Sequence, residues 1–279
     1  MAATTNYRDQ VLEALPVISP MAMRLVGRLG YSGVNFAEVK DLIEKDTMLC
    51  SEVMRTVNSA RYSRGNPRNR IESAVALLGS NRLRRLALGI TVSNLFKRPN
   101  TSPRWSQLRF NLHSAAVAVM ADLISGHVAV AGSEGAFIGG LFHDIGKFAI
   151  AVNLKLEYSM ILDLWSSSGN GIAECEREVL GFDHAEISGL ILARWELPST
   201  LQRAVFYHHR PDAGSDEISL AHVLDLSNRF VHYLGMTTEP TSPDANQPCA
   251  LELCGRELPE ADLLESFAAE YEEFSSFFI

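Results

Sequence analysis

The stretch Gly-Leu-Phe-His-Asp-Ile-Gly-Lys-Phe, residues 140–148, sets His143 beside Asp144 with Lys147 one turn further on. It lies in the most apolar region of the chain, residues 136–152, which those three polar residues interrupt. A histidine and an acid inside an apolar helical run are either part of a metal site or odd members of an ordinary helical core. The outcome depends on whether further ligands occur elsewhere. Lys147 follows His143 by four residues and Asp144 by three, so all three can share one helical face.

Working outward, the periodicity is helical. In the segment that starts at Val34, Asn35 is placed to cap a helix with Glu38 three residues on, and Val39, Leu42 and Ile43 share a face. Asp46 is placed to cap the next helix, whose apolar stripe runs through Leu49, Val53 and Val57. Residues 71–78 read as a short helix ended by Gly79, and residues 81–96 alternate an arginine face with an apolar one. No run shows sustained period-two alternation with hairpin turns. The expectation is an all-α fold: a helical bundle preceded by an N-terminal helical lobe. The Pro-containing segment 97–104 reads as a linker and 237–248 as a second loop. The expected parts are a lobe over 1–98, a bundle over 99–235, and a tail over 236–279 with an acidic helix at about 257–274.

Composition narrows the classes. A chain of 279 residues with 47% hydrophobic and 21% charged residues has the makings of a sizeable core rather than global disorder. The N-terminal residues lack a basic region followed by an apolar run, and no stretch reads as reaching the roughly 18 apolar residues of a membrane span. A soluble cytoplasmic protein with no membrane partner is the expectation. The four cysteines read as reduced thiols. Net charge is −8, yet residues 51–109 carry +10, which leaves −18 for the remainder. A basic segment of this kind pairs with the protein's own acids or meets an acidic partner, a nucleotide or nucleic acid. Without a helix-turn-helix pattern, and with phosphate attraction alone unable to specify sequence, nucleic acid ranks last.

In order along the second half stand His113, His143 with Asp144, His184, His208 with His209, and Asp225. The gaps between them, 16 to 41 residues, are each about one helix plus a return. Side chains from several helices can therefore converge inside a bundle. Imidazoles and carboxylates suit a divalent ion such as Fe, Mn, Ni or Zn, one or two in number, and a carboxylate between two ions can bridge them. His208 and His209 are adjacent, so both can face one point only at a helix end. Lys147 suits a phosphate oxygen beside such an ion. Each residue also has an ordinary reading: His184 starts a helix, Lys147 is solvated, and His127, His222 and His232 are surface or hydrogen-bonded core histidines.

The ordered histidines and acids with His-Asp-Ile-Gly-Lys inside them resemble the HD superfamily of metal-dependent phosphohydrolases. The stretches at 15–29, 42–62, 71–88, 139–150, 184–198 and 204–211 are similar, in that order, to the HDOD domain. The resemblance implies an all-helical regulatory module of bacterial signalling. It implies that His113, His143, Asp144 and Asp225 match the basic HD ligand set, that His184, His208 and His209 match the further ligands of two-metal HD-GYP relatives, and that Lys147 matches their phosphate-contacting lysine. No GYP segment follows His209, so the lip that grips cyclic di-GMP in those relatives is absent. Two readings follow. One is a signalling module with a divalent-metal pocket that acts on a protein partner or by binding a nucleotide or phosphate ligand. The other is a metal-dependent phosphohydrolase or phosphodiesterase, with Asp144 and Lys147 in the catalytic machinery and Lys147 and Arg109 on the phosphate.

Overall fold

The computed structural model describes residues 6–13, 25–28, 35–59, 70–95, 100–214, 217–239, 249–253, 255–276 and 278. Parts of the expected linker and loop (97–99 and 240–248), Cys254 and the arginines at 61, 64 and 68 lie outside the described residues. The fold is all-α. Two compact units are present: residues 1–17 with 98–271, and residues 18–97 with 272–279. The first 17 residues thus group with the bundle, whereas the sequence reading placed them in the N-terminal lobe.

In the smaller unit, α2 (Phe36–Glu44), α3 (Thr47–Val57), α4 (Ile71–Leu78) and α5 (Ser80–Leu95) pack together. The caps are those the sequence indicates. The Asn35 side chain accepts from the Glu38 amide at 3.0 Å, and Asp46 accepts from Leu49 at 2.9 Å. Each satisfies an amide that the first helical turn leaves free. Gly79 ends α4 at φ +79°, a conformation that glycine adopts without steric cost. Val39, Ile43, Val53 and Val57 are fully buried, so the stripes face one core.

The larger unit contains α1 (Tyr7–Glu13), α6 (Gln107–Ser125), α7 (Ala136–Phe142), α8 (Ile145–Asn153), α9 (Lys155–Ser168), α10 (Ile172–Leu180), α11 (His184–Arg194), α12 (Ser199–Phe206), a single turn α13 (Pro211–Gly214), and α14 (Leu220–Tyr233). Helix α6 is central: residues 113–121 are all buried, and it packs against α7 and α14. Its alanines let neighbours approach, and a Cβ on Gly140 would sit 2.6 Å from the Ala118 Cα. Helix α1 joins α11 through an Arg8–Glu186 ion pair at 2.8 Å and a hydrogen bond from Arg194 Nη1 to the Leu12 carbonyl at 2.8 Å.

Two features differ from the sequence reading. Among the described residues there is one antiparallel pairing, Glu252–Leu253 with Arg256–Glu257, which precedes α15 (Glu260–Ser275). By length and composition, 133–153 does qualify as a span, with mean hydropathy 1.3. It is 94% buried within the protein, however, which is how a core segment of α7 and α8 comes to be so apolar. That segment is also not one helix. It breaks at His143–Asp144, where Asp144 adopts φ −100° and ψ 10°, and helix α8 restarts with the Lys147 amide donating to the Asp144 carbonyl at 2.9 Å.

Candidate metal centre

The break between α7 and α8 aims His143 and Asp144 into the bundle, where both are fully buried. His113 comes from α6 and His184 is the first residue of α11. His208 and His209 stand just past the end of α12, where the chain has left the helical repeat and adjacent rings can turn to one place.

These side chains form two groups around one carboxylate. Asp144 Oδ2 lies 3.5 Å from His113 Nε2 and 3.4 Å from His143 Nε2. Asp144 Oδ1 lies 3.1 Å from His184 Nε2 and 3.8 Å from His208 Nε2. His209 Nε2 is 2.8 Å from His184 Nε2, and the ligand atoms within each group all lie within 4.8 Å of one another. Asp144 thus has one oxygen in each group.

The outer ring atoms fix the chemistry of the inner ones. His113 Nδ1 bonds the Met236 carbonyl at 2.7 Å, His143 Nδ1 that of Gly140 at 2.8 Å, and His208 Nδ1 that of Val205 at 2.7 Å. A carbonyl oxygen only accepts, so each Nδ1 carries the hydrogen, and in the neutral ring each Nε2 presents a lone pair. His184 donates from Nδ1 to Glu176 Oε2 at 2.5 Å, and the His184 amide donates to the same oxygen at 2.7 Å. Lone pairs of His113, His143 and His208 therefore converge on a carboxylate. Both Asp144 oxygens are buried among these charged and polar groups, and His208 Nε2 is buried without a hydrogen-bond partner. Such a set repels itself unless a positive charge sits within it. Lys147 supplies one beside Oδ2, with Nζ 2.8 Å away, and a protonated His184 supplies another beside Oδ1 at 3.1 Å, which leaves His208 Nε2 unserved.

Charge states follow the same geometry. Burial lowers His113 and His143 to about 3 and His208 to about 4, so these rings are neutral. Burial opposes a charge on His184 as well, but Glu176 and Asp144 outweigh it and raise it to about 10. Burial also works against the Asp144 carboxylate. His143, Lys147 and His184 overcome it and hold the group well below the ordinary carboxylate range.

Beside the cluster, Lys147 and His209 line a cavity of about 490 Å³ together with residues of α10 and α14. The structure does not bring every expected site residue to the centre. Asp225 lines the cavity, but it lies outside both ligand groups and its Oδ2 accepts from Arg229 Nε at 2.9 Å. On the same side of α14, Asn228 and His232 also line the cavity, and the His232 ring packs edge-on against His113 with centroids 5.1 Å apart. Arg109 is exposed in the first turn of α6 and is not among the residues lining the cavity.

Sequence reasoning missed Glu176, Glu239 and the backbone carbonyls. Glu239 is buried with Oε1 3.8 Å from Lys147 Nζ. Glu176 had a visible signal, because it shares a buried stripe with Ala173 and Leu180 at spacings of three and four. A charge in an apolar stripe implies a buried partner.

The fold and site define an all-helical domain with a potential metal-binding His–Asp cluster. The model of the HDOD domain family matches residues 15–211, most of the chain, and the protein belongs to that family. Solved structures agree in fold. An HDOD domain protein of unknown function from Geobacter sulfurreducens is 22% identical, covers 97% of this chain and 96% of its own, and has a TM-score of 0.73. A protein of Shewanella amazonensis SB2B, provisionally named a phosphohydrolase, is 21% identical with coverages of 99% and 98% and a TM-score of 0.73. An uncharacterized protein of Treponema pallidum (strain Nichols) is 19% identical over 226 residues, 80% of this chain, and the chain spans 43% of that relative's length.

Proposed function

We propose that this HDOD protein is a signalling or regulatory module of bacterial type, built on a divalent-cation centre, whose output is contact with a partner protein or capture of a nucleotide. The observation that carries the reading is the convergence of histidine Nε2 atoms from four segments on the buried Asp144 carboxylate. His113, His143 and Asp144 would hold one ion, and Asp144, His184, His208 and His209 a second. Five imidazoles and one carboxylate suit Fe, Mn, Ni or Zn. When bound, such an ion supplies Lewis acidity. The chain's own residues prepare the place. Main-chain carbonyls and Glu176 fix the rings, and Lys147 offsets anionic charge beside Asp144.

The second reading is a metal-dependent phosphohydrolase or phosphodiesterase. One observation favours it: Lys147 and His209 belong to the cluster and also line a ligand-sized cavity. A phosphate entering there would meet Lys147 as a charge partner.

Elemental analysis of protein purified without chelators tests the centre. At least one equivalent of a transition metal is expected, with most of it lost in Asp144→Ala. A metal-free protein from metal-replete cells would sink the proposal. Assays on generic phosphodiesters with added Mn or Fe then divide the two readings. Turnover abolished by Asp144→Ala supports the enzyme, and its absence across phosphate esters supports the binding module.

A further inference from the structure

Outside the His–Asp cluster, three buried polar atoms lack hydrogen-bond partners and share one location. Arg177 Nε, Asn228 Oδ1 and His232 Nε2 all belong to residues that line the cavity of about 490 Å³. Buried polar atoms in folded proteins are almost always paired, so three orphans around one cavity point to something that enters it. Their chemistry is mixed. A guanidinium Nε only donates, an amide serves in either sense, and an imidazole nitrogen donates or accepts with its tautomer.

The cavity is also graded in exposure. Asn228 is 6% exposed, whereas the side chains of Arg177 and Arg229 are 31% and 56% exposed. The two arginines therefore stand toward solvent and Asn228 lies deeper, with the buried Lys147 and the carboxylates of Glu174 and Asp225 also in the lining. The two arginines are already oriented. Arg177 Nη2 lies 2.5 Å from Asp183 Oδ2, and Asp183 in turn caps α11. Arg229 Nε is held by Asp225. Each anchor uses part of the guanidinium and leaves other N–H groups of the fork for a ligand. A planar fork of this kind matches phosphate oxygens two at a time. Asn228 and His232 lie four residues apart on α14 and so share one face. The volume falls within the range of roughly 300–1,000 Å³ for small-molecule sites.

We infer that this cavity is a receptor site for a small organic phosphate, its phosphate gripped at the rim by Arg177 and Arg229 and its polar body hydrogen-bonded deeper by Asn228 and His232. The inference deepens the binding-module reading and rests on it. The phosphate is held by arginines rather than by the His–Asp cluster, so capture requires no bond to break.

Isothermal titration of the full chain with uridine 5′-monophosphate, adenosine 5′-monophosphate and ribose 5-phosphate tests it, with inorganic phosphate and uridine as controls. At least one organic phosphate should bind ten-fold or more tightly than either control. Arg177→Gln should weaken that binding at least ten-fold. Arg229→Gln, at an exposed position that leaves the bundle intact, should weaken it several-fold. Asn228→Ala should shrink the gap between the organic phosphate and inorganic phosphate. If none of the three organic phosphates exceeds the controls, or if folded Arg229→Gln binds like the parent, the inference is wrong. Metal content measured on the same samples keeps the two ideas apart. A metal-free protein that binds an organic phosphate retains this site and loses the metal centre. A metal-loaded protein that binds none loses this site alone.

Discussion

At the scale of single residues, the proposed metal centre depends on groups outside its ligand set. Glu176 holds both the ring and the amide of His184. Carboxylates behind a metal-binding histidine fix its orientation and raise its basicity, and losing one typically costs about 10–100-fold in metal affinity. Glu176→Gln should therefore keep the fold and lose metal affinity by about that factor, as read by competition with a calibrated chelator. The charge states give a second expectation, for the metal-free protein. Burial holds His113, His143 and His232 down to about 3 and His208 to about 4, while an unfolded chain takes up these protons near 6.5. Acidification from about pH 6.5 toward 4 then favours the unfolded state, by up to about 1.4 kcal/mol per pH unit for each ring. His184, raised to about 10, acts in the opposite sense. Its contribution is complete below about pH 6.5 and is lost as pH rises through about 10. Urea titrations of chelator-treated protein should show greatest stability near neutral pH with a decline on both sides, and a flat profile from acid to alkaline conditions would contradict these assignments. Much of the site is legible in the order of His113, His143, Asp144, His184, His208 and His209, because their spacing by whole helices permits convergence. Asp225 shows where order is insufficient. Asp225 shares the cavity-lining side of α14 with Asn228 and His232, and its pairing with Arg229 rather than its spacing goes with its place outside both ligand groups. Carbonyl partners such as Met236 leave no trace in side-chain chemistry.

At the scale of elements, apolar periodicity and capping residues carry most of what can be read. Asn35, Asp46 and Gly79 each act within a few residues of themselves, so local chemistry suffices to place α2, α3 and the end of α4. The break between α7 and α8 is not local. Continuous apolar sequence suggests one helix, and long-range contacts divide it. Gly146 marks the reason, since a Cβ there would lie 2.1 Å from the carbonyl oxygen of His184, the first residue of α11. Backbone atoms cannot swing aside as a side-chain tip can. Gly146→Ala should destabilise the protein by about 1–3 kcal/mol or more and reduce its metal-to-protein ratio, measured by urea unfolding and elemental analysis. Unchanged values of both would mean that α8 and α11 are less closely packed than described.

At the scale of the whole molecule, the larger unit is discontinuous in sequence: α1 belongs with helices that begin about ninety residues later. Val11 is fully buried, and Arg8 and Leu12 bond α11. A chain starting at Ile18 should remain helical but melt at lower temperature, by about 2–4 °C for each kcal/mol lost, in a calorimetric comparison with the parent. The burial of the cluster has a kinetic side. The five core donors, His113, His143, Asp144, His184 and His208, are at most 1% exposed, and main-chain hydrogen bonds from separate segments clamp the ring edges. An ion held by His113, His143 and Asp144, the group with no cavity-lining ligand, would depart only when the surrounding chain breathes apart. With scavenger in excess, its release would proceed on a clock kept by the polypeptide, indifferent to how much scavenger is added.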